Sequence, residues 1–247
     1  MSDMPDGKQD RAGRDQVRHM FNSIALRYDC VNRLLSLRRD VVWRGKLAAS
    51  LSRRAHPRVL DIATGTGDVL LTLLNRRPEL QSIVGADVSE AMLGVARQKI
   101  RRAGVESKCG LAAADAAALC FPDATFDVAT VAFGVRNFSA LETGLKEIRR
   151  VLRDDGQLLI LEFSLPENRV IRAVYLAYFR HLLPRIGGWI SRRPHAYRYL
   201  NATVEAFPYG VAFMDILSAV GFHRVERHPL SFGIASLYIA YKDRTPS

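Results

Sequence analysis

From position 17 onward the apolar residues of this chain fall into register. Val17, Met20, Phe21, Ile24, Ala25 and Tyr28 recur at helical spacing, and Val31, Leu34 and Leu35 carry the same face past a break at Asp29-Cys30. A further helix is predicted from Asp40 as N-cap to about Arg53, with Val41, Val42, Leu47, Ala48 and Leu51 inward. Its paired arginines, Arg53-Arg54, fall near the end, where the helix dipole favours cations, and His56-Pro57 stops it. The chain then alternates. Short apolar runs at 59–63, 83–87, 105–113, 126–133 and 157–163 read as strands, and helices are predicted over 68–77, 90–102 and 141–152. Ser89 stands as an N-cap and Gly104 as a stop. Near-continuous apolar strands separated by helices of ten or so residues predict a parallel sheet covered on both faces. Past position 166 the pattern changes to an aromatic, basic, helical stretch over 170–199, followed by a helix over 209–220 and two closing strands at 222–227 and 234–241.

Length and composition narrow the class. The 247 residues, 48% hydrophobic and 25% charged, suit one globular domain able to bury a full core. Lys and Arg number 36 against 25 Asp and Glu, a net charge of +11. Six Arg-Arg pairs are spread along the chain and read mainly as solvated helix ends. The excess favours anionic surfaces such as RNA or phospholipid headgroups and does not choose between them. Cys30, Cys109 and Cys120 match neither a disulfide framework nor a zinc site, so a reduced, cytoplasmic setting is expected. The polar start of the chain lacks a signal-peptide core, and no apolar run approaches the ~20 residues of a membrane-spanning helix.

The chemistry gathers at Arg58-Val-Leu-Asp61-Ile-Ala-Thr-Gly65-Thr66-Gly67-Asp68 and at the second strand's end, Asp87. Gly65 and Gly67 let the backbone turn tightly and approach a ligand closely. A dinucleotide fingerprint wants a third glycine about three residues after the second, under a pyrophosphate. Leu70 stands there and is bulky, which disfavours a nicotinamide dehydrogenase. A ligand without a pyrophosphate fits better, and S-adenosylmethionine is one. Asp87 is assigned to its ribose hydroxyls, and Thr66 and the loop backbone to its methionine part. Asp115 is placed to accept from the adenine amino group, and Ala116 to offer its backbone N–H to a ring nitrogen.

Beyond the loop, several motifs resemble the ubiquinone/menaquinone biosynthesis C-methyltransferase family, UbiE/MenG type. They are Phe21-Asn22-x-Ile24-Ala25-x-x-Tyr28-Asp29-x-x-Asn32-x-x-Leu35-Ser36, Phe133-Gly134-Val135-Arg136-Asn137 and Leu161-Glu162-Phe163-Ser164-x-Pro166. Leu183-Pro184-x-Ile186-Gly187, Tyr197-x-Tyr199-Leu200 and Phe207-Pro208 continue the match. The resemblance implies an α/β, Rossmann-like class I methyltransferase fold, with a mostly parallel seven-stranded sheet and helices on both faces. It also implies a single domain over 16–247, after a stretch at 1–15 whose Asp-, Gly- and Lys-rich composition predicts a disordered tail. Within that domain, 16–56 is a helical lid, 57–166 the cofactor-binding core, 167–208 a helical substrate-side insertion and 209–247 a closing helix and strands.

The reaction implied is methyl transfer from S-adenosylmethionine to a ring carbon of a polyprenylated benzoquinol or naphthoquinol. Arginine is a poor base, so Arg136 is cast as the stabiliser of a developing oxyanion. Asn137 orients the substrate oxygen or a water, and Tyr28 closes the pocket. A salt bridge from Arg136 to Glu162 is the plain structural alternative. Asp61 joins the cofactor set with Gly65, Thr66, Gly67, Asp87, Asp115 and Ala116, and no metal is expected. A lipid-tailed substrate, the basic charge and the 170–189 segment together suggest peripheral contact with the inner membrane face, and the family is compatible with a homodimer.

The family's Leu-Ser-x-Gly-x-His becomes Leu35-Ser36-Leu37-Arg38-Arg39-Asp40, and its late His-x-Gly-Tyr-Lys becomes Tyr238-Ile239-Ala240-Tyr241-Lys242. These departures fall on the substrate side and leave another small apolar acceptor open. An RNA-modifying methyltransferase is the other alternative, against which stands the lack of an RNA-binding appendage or an Asn/Asp-Pro-Pro-Tyr motif. No nucleic acid is expected as a partner.

Overall fold

The computed structural model describes Asn22, Ala25, Asp29, Arg33, Ser36, residues 38–178, Arg180 and residues 203–243. Helix α1 (Arg39–Ala49) precedes an alternating series of β1 (Arg58–Ile62), α2 (Asp68–Arg76), β2 (Ser82–Asp87), α3 (Glu90–Ala103) and β3 (Cys109–Ala113). Then come β4 (Phe126–Ala132), α4 (Leu141–Val151), β5 (Leu152–Phe163), α5 (Arg169–Ala177), α6 (Val211–Ala219), β6 (Phe222–Leu230) and β7 (Ala235–Lys242). The strands form one seven-stranded sheet in the order β3-β2-β1-β4-β5-β7-β6. Strands β1 to β5 pair in parallel, and β7 runs antiparallel between β5 and β6.

Both faces are covered, which is why the central strands are apolar at nearly every position. On one face Trp43 and Leu47 of α1 and Leu70 and Leu73 of α2 pack with Val59, Val128, Leu159 and Leu161. On the other, Leu145 and Ile148 of α4 and Phe213 and Leu217 of α6 pack with Leu60, Ala129, Leu158 and Ile160. Strand neighbours point to opposite faces, so these alternating sets are what a two-sided sheet demands.

The capping signals read from the sequence hold at α3. The Ser89 side chain accepts from the Met92 N–H, and Gly104 ends the helix at φ 65°. The start of α1 differs from expectation. Asp40 is its second residue and not its N-cap, because the carboxylate accepts from Ser36 Oγ at 2.6 Å and from Arg44 Nη2 at 2.7 Å. Val41 and Val42 are exposed, whereas Trp43 and Arg44 turn inward. The helix ends at Ala49, so Arg53 and Arg54 lie beyond it, and Arg54 pairs with Asp127 at 3.4 Å. The third strand starts later than predicted, after a single 3-10 turn at Glu106–Lys108. The fifth starts earlier, at Leu152, with a register irregularity against β4.

Candidate active site

The sheet order reverses between β1 and β4: β2 and β3 lie on one side of that junction, β5 on the other. In open α/β sheets a ligand crevice opens at the carboxyl ends of the strands at such a point. The loops leaving β1 and β4 touch there. Ala63 takes φ 53° and Phe133 φ 57°, and a Cβ on Gly134 would lie 2.5 Å from the Ala63 Cβ. Glycine at 134 is therefore required for the two loops to meet.

The loop after β1 is held from below by Asp61. Its carboxyl is almost fully buried and accepts from the Thr64 and Thr130 hydroxyls, each at 2.6 Å. Burial pushes this acid up to about 7, against the two hydroxyls that lower it, with Asp87 adding a further upward push. Gly65 and Gly67 both take positive φ, 56° and 80°. Gly67 is also a close-approach position, since a Cβ there would sit 3.1 Å from the Ala96 Cβ of α3. The bulk of Leu70 is accommodated by an absence elsewhere: a Cβ on Gly85 would come within 2.9 Å of the Leu70 side chain and of the Thr64 methyl.

Asp87 closes the loop from the second strand. One carboxylate oxygen accepts from the Gly65 N–H and the other from the Ser89 N–H, each at 2.8 Å. Burial raises this acid above the usual carboxylate range despite those backbone donors. Each oxygen keeps a lone pair, so the group can also accept from a diol. Asp115 stands two residues past Ala113, the register partner of Asp87. Its carboxylate accepts from the Ala117 N–H at 2.9 Å, which fixes the turn carrying buried Ala116. Asp61, Gly65, Thr66, Gly67, Asp87, Asp115 and Ala116 thus share one end of the sheet.

A charged cluster that local sequence patterns do not announce lies over this loop. The Thr66 hydroxyl donates to Asp29 and accepts from Lys99 Nζ at 3.1 Å. Lys99 also pairs with Asp29, and with Asp68 at 2.6 Å. Arg44 reaches Asp68 at 3.2 Å, Arg33 reaches it at 3.7 Å, and Asn22 Oδ1 accepts from the Ser89 hydroxyl at 2.6 Å. Burial works to raise Asp68, but Lys99, Arg44 and Arg33 overcome it and hold the acid below its ordinary value. Asn22, Asp29 and Arg33 are therefore held at the glycine-loop end of the sheet. Tyr28, beside it in sequence, lies outside the described residues.

Arg136 and Asn137 sit on a single 3-10 turn, Val135–Asn137, directly after β4. The Arg136 side chain is 5% exposed and its partner Glu162 is 0% exposed. Nη1 donates to Glu162 Oε1 and to the Phe133 carbonyl, both at 2.6 Å, and the guanidinium lies 5.4 Å from the Phe163 ring centre. Glu162 also accepts from the Phe163 N–H at 2.8 Å and the Arg136 N–H at 3.3 Å. The expected alternative, a salt bridge, is thus present. It leaves Arg136 Nε buried with no hydrogen-bond partner among the described residues. Tyr175 of α5 is buried close enough for the Arg136 charge to act on it. Burial raises its phenol, and Arg136 opposes that rise. Tyr175 carries no motif and becomes a candidate only through the fold. No cluster of residues able to hold a metal occurs among the described residues.

A sequence model of the ubiE/COQ5 methyltransferase family matches residues 8–242. A demethylmenaquinone methyltransferase of Thermus thermophilus is 44% identical over 89% of this chain and 98% of its own length. A ubiquinone/menaquinone biosynthesis C-methyltransferase of Geobacter sulfurreducens is 40% identical over 92% of this chain and 89% of its own. Among solved structures, a SAM-dependent methyltransferase from Aquifex aeolicus superposes with a TM-score of 0.59 at 20% identity, covering 80% of this chain and 88% of that one. That last likeness bears on the fold, and it agrees with the strand order and the reversal at β1 and β4. The two curated relatives match over nearly the whole chain, with both the glycine loop and the Arg136 turn inside the matched span, and the chain belongs to the ubiE/COQ5 methyltransferase family.

Proposed function

We propose that this enzyme transfers a methyl group from S-adenosylmethionine to a ring carbon of a polyprenylated quinol, demethylmenaquinol or its benzoquinol counterpart. The observation that carries the reading is the placement of Arg136. A buried guanidinium with one unpartnered N–H stands one loop away from a glycine turn bounded by two acids of raised pKa. The names of the relatives at 40% and 44% identity point to the same acceptors.

The residues around the loop fit the methyl donor. Asp87 would accept from the ribose diol and Asp115 from the adenine amino group. Gly65 and Gly67 leave room for the methionine part beside Thr66, and Asp61 positions the loop from inside the sheet. Bound there, S-adenosylmethionine supplies a sulfonium methyl group and departs as S-adenosylhomocysteine.

The chain's own task is on the acceptor. A ring carbon is a weak nucleophile until a neighbouring ring hydroxyl gives up its proton. Arg136 would then bind the developing oxyanion through Nε, since Glu162 and the Phe133 carbonyl hold Nη1 and fix the plane of the group. Asn137, on the same turn, would orient the substrate oxygen or the water that takes the proton. Phe163 and Tyr175 wall the site and exclude bulk water, which strengthens the charge interaction. Tyr28 and the insertion predicted over 167–208, of which residue 179 and residues 181–202 lie outside the described residues, would close the substrate side, in a cytoplasmic enzyme working at the inner membrane face.

Labelled S-adenosylmethionine offered with reduced demethylmenaquinone and with the reduced benzoquinone precursor tests this. Label on a ring carbon of either quinol is the expected product. Cofactor binding with no transfer to either would sink the reading and point to another apolar acceptor.

A further inference from the structure

Large hydrophobic side chains left in water are unevenly placed on this molecule. Among the described residues all of them except Val211 stand at the carboxyl edge of the sheet, where the candidate site opens. Val88 follows the end of β2. Val41 and Val42 are in the first turn of α1, which Arg44 pins to Asp68 just past β1. Phe232 is in the β6–β7 connection, whose ends Leu230 and Ala235 are paired beside Phe163 at the end of β5.

Phe232 is the extreme case, at 80% exposed. Ser231, Phe232 and Gly233 take φ 46°, 60° and 87° in succession, a backbone that only the glycine adopts cheaply. Nothing loose accounts for it. Trp43 Nε1 donates to Ser231 Oγ at 2.9 Å, and Ser164 Oγ donates to the Gly233 carbonyl at 2.7 Å, so the loop is clamped on both sides while the ring is held out. Beside it, Gly233 lies against Pro166, three residues before α5. On α5, Tyr175 faces the core, while Val170, Ala173, Val174 and Ala177 are exposed. That spacing of i, i+3, i+4 and i+7 is an apolar stripe on the outside of a helix.

The charge around these groups is positive. Arg38, Arg39 and Arg169 are exposed at the same edge, against exposed Glu90 beside Val88 and Glu167, which is paired with Arg227. A clamped aromatic tip, an outward apolar stripe and flanking arginines on a chain of net charge +11 complement a surface that is apolar beneath and anionic at its face. Resting on the reading of a lipid-tailed acceptor, we propose that this edge docks on an anionic lipid bilayer. Phe232 enters the acyl boundary, the Val170/Val174 face of α5 lies along it, and the site mouth faces the membrane from which the tail is drawn.

The test uses the full chain sedimented with phosphatidylcholine vesicles, with and without phosphatidylglycerol, at low and high salt. Wild type should bind the phosphatidylglycerol vesicles and lose binding as salt rises. Phe232→Asp should lower the partition about 10-fold or more, Phe232→Leu should retain it, and Val170→Ser with Val174→Ser should weaken it. Absence of wild-type binding, or Phe232→Asp binding like wild type, overturns the proposal. So does a Phe232→Asp that turns a dimer into a monomer without changing vesicle binding, since the face would then serve a second copy. Wild type is also assayed on a short-tailed quinol without vesicles. Methylation there with no vesicle binding defeats the docking alone, whereas vesicle binding without methylation defeats only the acceptor reading.

Discussion

The two edges of the sheet use their charges differently. At the amino edge Asp127 accepts from the Arg58 N–H at 2.9 Å and pairs with Arg54 at 3.4 Å and Arg153 at 3.2 Å. Arg77 donates to the Ala48, Leu51 and Ser52 carbonyls, capping the end of α1. Gln157 ties the Ser52 N–H to the Ser50 carbonyl, and Lys242 donates to the Leu152 carbonyl. Two of the arginines lining the cavity on this side, Arg54 and Arg77, are already committed to the fold. At the carboxyl edge Asp87, raised by burial, accepts from only one backbone N–H on each oxygen, and Arg136 keeps an N–H unspent. Polar groups matched to one another build structure; polar groups left under-matched in a crevice are available to a ligand.

Substitutions can break that contrast. The largest effect is expected at Asp87→Ala. Removing the carboxylate proposed to accept from both ribose hydroxyls should weaken S-adenosylmethionine binding about 100-fold or more, measured by calorimetry. At the other edge, Asp127→Ala should cost about 2–3 kcal/mol in denaturant unfolding, because the Arg58 N–H and two guanidiniums lose their acceptor. Its turnover per folded molecule should match wild type, and a fall in kcat there would dissolve the distinction between the edges. Lys99→Ala should cost about 1–2 kcal/mol of cofactor affinity by removing the ammonium that joins Asp29, Asp68 and the Thr66 hydroxyl. Unchanged affinity would make that cluster purely structural.

A pH experiment sharpens the picture at Asp61. Its folded value, about 7, lies above its ordinary 3.8, so between these pH values the folded state binds the extra proton. The contribution to stability is therefore fully present below about pH 4 and is lost as pH rises through 7. Asp61→Asn, which keeps an acceptor for one threonine, should flatten that part of the profile relative to wild type. Parallel curves for the two proteins would mean the acid is ionised throughout.

The alternation of strands and helices was legible because two-sided burial leaves apolar strands, and Ser89 and Gly104 were legible because capping is local chemistry. Asp40 misled for a physical reason: a good N-cap residue was drawn into pairs with Ser36 and Arg44 by the demand of Asp68 on the next helix. On the same helix Val41 and Val42 face water while Trp43 and Arg44 are buried. Gly65, Gly67 and Asp87 could be read from spacing, since the turn and the strand end are close in sequence. Lys99 and Tyr175 could not, because their partners lie 31 or more residues away and nothing in their neighbourhoods marks them.

On the proposed reading Arg136 acts on the acceptor and not on the methyl donor. Arg136→Ala alone strands Glu162 as an unpaired buried charge and should cost about 3–5 kcal/mol of stability. The decisive variant is therefore Arg136→Ala combined with Glu162→Gln, in which no charge is stranded. Single-turnover methyl transfer and S-adenosylmethionine affinity are measured on the same preparation. The account predicts a rate lowered about 100-fold or more with affinity within about 2-fold of wild type. Affinity falling in step with the rate would contradict it and would move Arg136 to the cofactor.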